Sequence, residues 1–207
     1  MATFDERAAE WDTPERVARA EEAADAFVRE LTIPDGSRAI ELGAGTGLLG
    51  LAIRDRVGPA RLAHLVLSDP STGMLEIAAS KIRERELTGV VTDRFDLVAD
   101  PAPPGGPFDL AISILMLHHV EDTPTALRAV RRLLVPGGQV ALADLDTEDG
   151  TFHTAEAEGI HHHGFDRERL RALAADAGFR DVRFGEAGTM ERDGRTYPLF
   201  LLIGVAA

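Results

Sequence analysis

The residues best placed to do chemistry begin at Glu41, which is followed by Leu42, Gly43, Ala44, Gly45, Thr46 and Gly47. Three alternating glycines let the backbone approach a ligand where any Cβ would clash. A turn built for phosphate relies on bare amides and a helix N-terminus and avoids carboxylates. Here a carboxylate precedes the turn, which suits a ligand carrying ammonium or hydroxyl donors. Leu48 stands where the dinucleotide pattern G-x-G-x-x-G requires a small residue, so the spacing departs from that pattern. A second acid, Asp69, ends the apolar run Leu65-Val66-Leu67-Ser68 about twenty residues on. Imidazoles supply the other chemistry: His118 and His119, His153, and His161, His162 and His163 are candidates for proton transfer.

These groups must be held by elements that the sequence patterns predict. Apolar residues recur at helical spacing over 13–31, with Thr13-Pro14 as cap and first-turn proline and Pro34-Asp35-Gly36 as the stop. Strands are expected over 38–42, 62–68, 90–95, 108–114 and 139–145, with helices over 47–57, 72–87 and 123–134. The segment 100–107 is rich in proline and glycine and reads as turn. Continuous apolar strands alternating with helices predict a parallel sheet covered on both faces. A helix over 166–177 precedes β-type runs over 181–186 and 198–205. Residues 186–197 leave no room for another crossover helix, so these two runs should pair antiparallel.

Composition narrows the function. The 207 residues suit one domain with a substantial core. A net charge of −13 argues against nucleic acid as a partner, because affinity there rests on cationic phosphate contacts. Arg131-Arg132 reads as the last turn of a helix, where cations oppose the macrodipole. The chain has no cysteine, which excludes disulfides, thiolate nucleophiles and cysteine-bound metals. Its single lysine, Lys81, lies on a polar helical stretch and is a poor candidate for Schiff-base chemistry. No apolar run approaches membrane length and the N-terminus lacks a signal pattern, so a cytoplasmic protein without a membrane partner is the expectation.

Four blocks together resemble a class I S-adenosylmethionine-dependent methyltransferase of the small-molecule branch. They are Glu41 to Gly47, Ser68-Asp69-Pro70-Ser71-Thr72-Gly73-Met74-Leu75, Phe108 to Ser113 continuing through Leu117-His118-His119, and Leu133 to Gln139 with its Pro136-Gly137-Gly138. Ala177-Gly178-Phe179 adds to the match. The resemblance implies an α/β fold: a Rossmann-like three-layer α/β/α sandwich around a mostly parallel seven-stranded sheet ending in an antiparallel hairpin. It spans 1–207 as a single domain, with 1–34 as lid and first helix, 35–150 as cofactor core, and 151–207 as substrate-side loop, helix and hairpin.

The same resemblance assigns the cofactor-binding residues. Gly43, Ala44, Gly45 and Gly47 lie against the methionine part of S-adenosylmethionine, and Glu41 approaches its amino group. Asp69, before Pro70, accepts from the ribose hydroxyls, or alternatively caps the next helix; Met74 packs by the adenine or in the core. Asp96 and Leu97 receive the adenine edge, with Asp93 and Asp100 competing for that role. Ser113, Ile114 and Leu115 line the pocket near the sulfur, and Asp109 orients the glycine loop. The segment around Trp11 folds across the site as a lid, or Trp11 staples the first helix to the sheet. Arg16 meets a carboxylate or lies on a solvated helix face.

The implied reaction is in-line displacement from S-adenosylmethionine, leaving S-adenosylhomocysteine, onto an O, N or S nucleophile of a small molecule by a monomer or homodimer. His119 or His163 is the expected base, with His153 orienting the acceptor. Other readings of these side chains are ordinary polar loop packing and a metal site formed by Asp144, Asp146, His153 and a later histidine. Two other functions compete. One is an NAD(P)-dependent oxidoreductase, disfavoured by Glu41, Leu48 and the terminal hairpin; the other is a non-catalytic cofactor-binding module.

Overall fold

A computed structural model describes residues 4–100, 105–153 and 159–207. Its elements run α1 (Phe4–Arg7), a 3-10 turn (Ala8–Glu10), α2 (Pro14–Glu30), β1 (Ser37–Leu42), α3 (Leu48–Arg61), β2 (Leu62–Asp69) and α4 (Thr72–Glu84). Then follow β3 (Val90–Arg94), β4 (Phe108–Ile114), a 3-10 turn (Leu117–His119), α5 (Thr123–Leu133), β5 (Leu134–Leu145), α6 (Arg167–Asp176), β6 (Phe179–Arg192) and β7 (Arg195–Ala206). One sheet carries all seven strands in the order β3-β2-β1-β4-β5-β7-β6. β1 to β5 pair in parallel, whereas β7 runs antiparallel to both β5 and β6. The expected Rossmann-like sandwich with its terminal antiparallel hairpin is the observed fold.

Strand residues alternate between the two faces with period two. Ala39, Leu65, Leu67, Ile112, Ala141 and Leu201 pack with Ala24 and Phe27 of α2 and Leu49 and Ile53 of α3. Ile40, Val66, Ala111, Leu142, Phe200 and Leu202 pack on the other face with Leu127 and Val130 of α5 and Leu170 of α6. The helices are locally specified. Thr13, Ser71, Asp122 and Asp166 each accept an amide hydrogen bond at the start of α2, α4, α5 and α6.

The structure moves several boundaries. α3 continues past residue 57 to Arg61 through a kink at Gly58-Pro59. α4 ends at Glu84, short of residue 87. β5 starts at Leu134, because Pro136-Gly137-Gly138 is absorbed as a register shift between the Phe108–Leu134 and Leu110–Gln139 pairs. The terminal hairpin is much longer than expected, since β6 continues to Arg192 and β7 begins at Arg195. Asp193 and Gly194 join them with φ of 50° and 75°, the two positive values of a tight hairpin turn. Of the proline-rich turn at 100–107, residues 101–104 lie outside the described residues, as do 154–158 of the loop before His161.

Phe200 is fully buried and meets the ring edges of Phe165 and Phe184, whose centroids lie 6.3 and 5.5 Å away. Truncation there removes a large apolar side chain and leaves a cavity. Phe200→Ala is expected to lower unfolding free energy by about 3–5 kcal/mol in a urea titration. A loss below about 1 kcal/mol would contradict this packing.

Candidate active site

The parallel strands end at one rim, and the glycine turn occupies the gap between β1 and α3. Gly43, Gly45 and Gly47 all adopt positive φ (63°, 53° and 79°). A Cβ on Gly43 would lie 2.7 Å from Met116 Cγ, and one on Gly47 would lie 2.7 Å from Leu67 Cδ1. These glycines are therefore demanded by backbone shape and by close packing together. The Ala44 amide donates to the Ser68 carbonyl at 2.9 Å, tying the turn to the end of β2.

Two carboxylates flank the turn. Glu41 is buried beneath it, and its Oε2 accepts from the Gly50 amide at 2.9 Å. Burial pushes its carboxyl up to about 8, with the Gly50 hydrogen bond opposing and the charge of Asp69 adding. Asp69 is also buried; its Oδ2 accepts from Gly45 N and its Oδ1 from Ser71 N, both at 2.8 Å. Burial raises the Asp69 pKa, opposed first by the Ser71 and Gly45 amides. A carboxylate has about four acceptor sites, so two bonds leave capacity on each oxygen.

The N-terminal segment lies across this turn and is fastened at both ends. Asp5 Oδ1 accepts from Ser71 Oγ at 2.7 Å and from Gly73 N at 2.6 Å. Asp12 accepts from Thr46 Oγ1 at 2.5 Å and pairs with Lys81 Nζ at 2.5 Å, while Lys81 also donates to the Thr46 carbonyl at 2.9 Å. Between these clasps the Trp11 indole nitrogen lies 3.7 Å from the point a Gly45 Cβ would occupy. Met74 Sδ lies 3.9 Å from that point, and Met74 is buried. Phe4 then meets Trp11 and His119 edge-on, with centroids 5.7 Å away in each case.

Phe4 thus links the glycine turn to the histidines. The His118 ring lies 4.2 Å from His119 and 5.1 Å from His153. Asp144, with no exposed surface, accepts from His118 Nδ1 at 2.7 Å, from the His118 amide at 3.1 Å and from the Leu145 amide at 2.8 Å. A carboxylate buried this deeply is tolerable only with several donors. Its bond to Nδ1 selects the tautomer with the proton on Nδ1 and leaves Nε2 as the acceptor nitrogen. This pair was not singled out as the base by the sequence. The legible sign was an acid at position 144 inside the apolar run of β5, level with a histidine after β4.

The other predicted residues fall as follows. His119 Nδ1 contacts the Gly159 carbonyl at 2.8 Å, and burial followed by the His118 charge lowers its pKa. His153 is brought down to about 4 by burial and by His118 and His119, so it is neutral near pH 7. Its Nε2 is buried with no hydrogen-bond partner among the described residues. His163 is exposed and approaches Glu148 at 3.3 Å, outside the ring cluster. Asp96 Oδ1 caps the amides of Val98 and Ala99, and Leu97 packs against the second core. Pro70 is exposed. Ser113 Oγ donates to the Leu42 carbonyl at 2.7 Å, Ile114 is half-buried, and Leu115 adopts φ of 54° at the strand end.

Asp109 does not reach the glycine loop. It accepts from the Arg38 amide at 2.8 Å, because the parallel register places it at the opposite end of the sheet. Asp144 and Asp146 do not converge on a metal either, since Arg167 holds both oxygens of Asp146 at 2.7 and 2.6 Å. No group of three or more candidate metal ligands occurs among the described residues.

Positive-φ backbone beside two buried acids, under an aromatic cover, fits a ligand with ammonium, hydroxyl and planar ring parts. Comparisons with known proteins agree. A methyltransferase-domain family model matches residues 16–183, and the chain belongs to that family. It is an S-adenosylmethionine-dependent methyltransferase. It is similar to O-methyltransferase rstn1 of Aspergillus nomiae, with 29% identity over 184 residues covering 84% of this chain and 80% of that one. It is also similar to the ubiquinone/menaquinone biosynthesis C-methyltransferase UbiE of a Shewanella species, 27% identical over 176 residues, with coverage of 72% and 68%.

Among solved structures, the complex of the Haloferax volcanii Trm112 methyltransferase activator and a putative methyltransferase matches with a TM-score of 0.76. That match has 19% identity and covers 100% of this chain and 98% of that one. Phosphoethanolamine N-methyltransferase 2 of Haemonchus contortus, solved with S-adenosyl-L-methionine, matches with a TM-score of 0.72 at 15% identity, covering 100% and 60%. These structural likenesses speak to the fold. Among the described residues no helix is long and apolar enough to cross a membrane.

The position of Glu41 has a measurable consequence. An unfolded Glu loses its proton near 4.5, whereas buried Glu41 keeps it to about 8. Between these values the folded chain holds a proton that the unfolded chain has lost, so Glu41 costs stability increasingly as pH rises, up to about 8. Glu41→Gln should therefore stabilise the ligand-free chain by roughly 3–5 kcal/mol at about pH 8 and by almost nothing at about pH 4. Paired denaturation curves at the two pH values check this; an equal effect at both would contradict it.

Proposed function

We propose that this methyltransferase acts on a small molecule, and that a hydroxyl acceptor deprotonated by His118 is the reading its geometry supports best. The observation that carries it is the buried Asp144–His118 pair at the rim shared with the glycine turn. Bound S-adenosylmethionine supplies an electrophilic methyl group on a sulfonium. Glu41, protonated below about pH 8 in the ligand-free chain, ionises as the ammonium approaches it, Asp69 accepts from the ribose hydroxyls, and Gly43, Ala44, Gly45 and Gly47 offer backbone unobstructed by side chains. Met74 and Leu97 supply apolar surface for the base, and Asp96 retains acceptor capacity for an adenine amino group.

His118 Nε2 takes the acceptor proton while Asp144 holds the ring orientation and stabilises the resulting imidazolium. His119 and His153, both with depressed pKa, contribute neutral polar surface that positions the acceptor. His163 has no part in this arrangement. Trp11 and Phe4 exclude water, which in-line displacement requires more than it requires covalent help. The O-methyltransferase activity named for the Aspergillus relative agrees with a hydroxyl acceptor.

Two outcomes are expected. Asp69→Ala should weaken S-adenosylhomocysteine binding by roughly 2–4 kcal/mol, or about thirty- to several-hundred-fold, in calorimetry at a temperature where the variant is folded. An unchanged dissociation constant would remove Asp69 from the ribose. His118→Ala and Asp144→Asn should each lower kcat by about 10²–10⁴-fold, with transfer from labelled S-adenosylmethionine followed over a panel of phenols, amines, thiols and acids. The His118→Ala deficit should shrink as pH approaches the acceptor's own pKa. Full turnover by both variants across the pH range would refute the base assignment.

A further inference from the structure

The terminal hairpin outruns the strand beside it. β7 pairs with β5 only from Leu199, opposite Leu145, whereas its pairing with β6 reaches back to Arg195, opposite Arg192. Residues 195–198 therefore stand at the rim where β5 gives way to the loop that carries His153. That loop is fastened to the hairpin. Arg195 donates to Thr151 Oγ1 at 2.5 Å and to Asp149 Oδ2 at 2.9 Å. The Thr151 hydroxyl donates to Asp149 Oδ1 at 2.5 Å and meets the Tyr197 hydroxyl at 2.8 Å. A hydroxyl has one proton and two lone pairs, so Thr151 gives to Asp149, takes from Arg195 and Tyr197, and is saturated. Asp149 is brought down to about 2, first by the hydrogen bond from Arg195 and then by that from Thr151.

The fastening reaches the candidate base through a chain of rings. Glu148 Oε2 accepts from the amides of Thr151 and Phe152 at 2.8 and 3.1 Å, closing the loop on itself. Buried Phe152 meets Tyr197 edge-on at 5.1 Å and His153 edge-on at 4.7 Å. His153 in turn lies 5.1 Å from His118. Because His153 Nε2 is buried with no hydrogen-bond partner among the described residues, ring packing holds it in place of a polar bond there. Arg195 and Asp149 remain half exposed, so their pair adds little to global stability. A fully satisfied polar network fixes one arrangement instead.

We infer that Arg195 and Tyr197 are positioning residues: through Thr151 and Phe152 they set His153 against His118, so that the hairpin shapes the acceptor's wall. The inference rests on the proposed acceptor site, in which His153 faces the group that His118 deprotonates.

The test follows the His153 imidazole by NMR in the full chain, its signal identified by loss in His153→Gln. In the unaltered chain, burial and then His118, His119 and Arg192 hold it at about 4, against the charge of Glu148. Thr151→Val keeps every charge and the branched shape while removing all three hydroxyl bonds. The loop should then loosen, and the His153 pKa should climb above about 5 toward its ordinary value. Arg195→Met should act in the same direction, and Thr151→Ser should titrate like the unaltered chain. S-adenosylhomocysteine affinity should stay within about twofold in each variant, because no bond of this network involves the glycine turn or Asp69. A His153 pKa unmoved in both Thr151→Val and Arg195→Met overturns the latch. A value near 6.5 in the unaltered chain, or a parallel loss of S-adenosylhomocysteine binding, does so too. The titration involves no turnover, so failure of the latch and failure of the base assignment to His118 are read separately.

Discussion

The structure depends on one constraint: a stretch of backbone without side chains must be held open between buried carboxylates. Gly43, Gly45 and Gly47 take conformations that other residues resist, and at Gly43 and Gly47 any side chain would collide with Met116 or Leu67. The turn is fixed by its own acids, because Glu41 accepts from the first turn of α3 and Asp69 accepts from Gly45. Burying these carboxylates costs folding energy, visible in the raised pKa of both. Groups that destabilise the fold while lining a cleft are characteristic of binding sites.

The remaining elements distribute work around that turn. β2 delivers Asp69, β4 and its strained Leu115 deliver His118 and His119, and β5 delivers Asp144 from a fully buried position. The lid completes the enclosure through polar clasps. Asp5 engages α4 at one end, and Asp12 engages Thr46 and Lys81 at the other. These clasps are mostly part-buried and join the segment to the wall of the cleft through polar contacts alone. The hairpin arm before Leu199 supports the opposite wall, where Tyr197 contacts Thr151 at 2.8 Å and packs edge-on against Phe152, next to His153.

Much of this arrangement was legible in the residues. Alternation of apolar strands and helices gave the parallel core, and the short connection after residue 186 required antiparallel pairing. The hairpin's length was missed because Met190, Arg192, Arg195 and Thr196 lack strong alternation, although Asp193-Gly194 is a turn dipeptide of known type. Trp11, left between covering the site and stapling a helix, lies beside Gly45. The sequence located the histidine-bearing loops but did not rank their members. That ranking depends on which imidazole meets a buried acid, a tertiary relation between β4 and β5 that spacing does not encode. Asp109 failed for a similar reason, since position in a motif does not reveal which end of a strand a side chain serves.

The central claim is that the glycine turn, Asp69 and the Trp11 lid enclose S-adenosylmethionine with its sulfur directed toward His118. A crystal structure of the chain with S-adenosylhomocysteine tests it most directly. The account predicts the ribose hydroxyls on Asp69, the amino-acid part against Gly43–Gly47 beneath Trp11, and the sulfur facing the His118–His119 loop. Nucleoside density lying elsewhere, or lying in this cleft with its sulfur turned away from that loop, would contradict it.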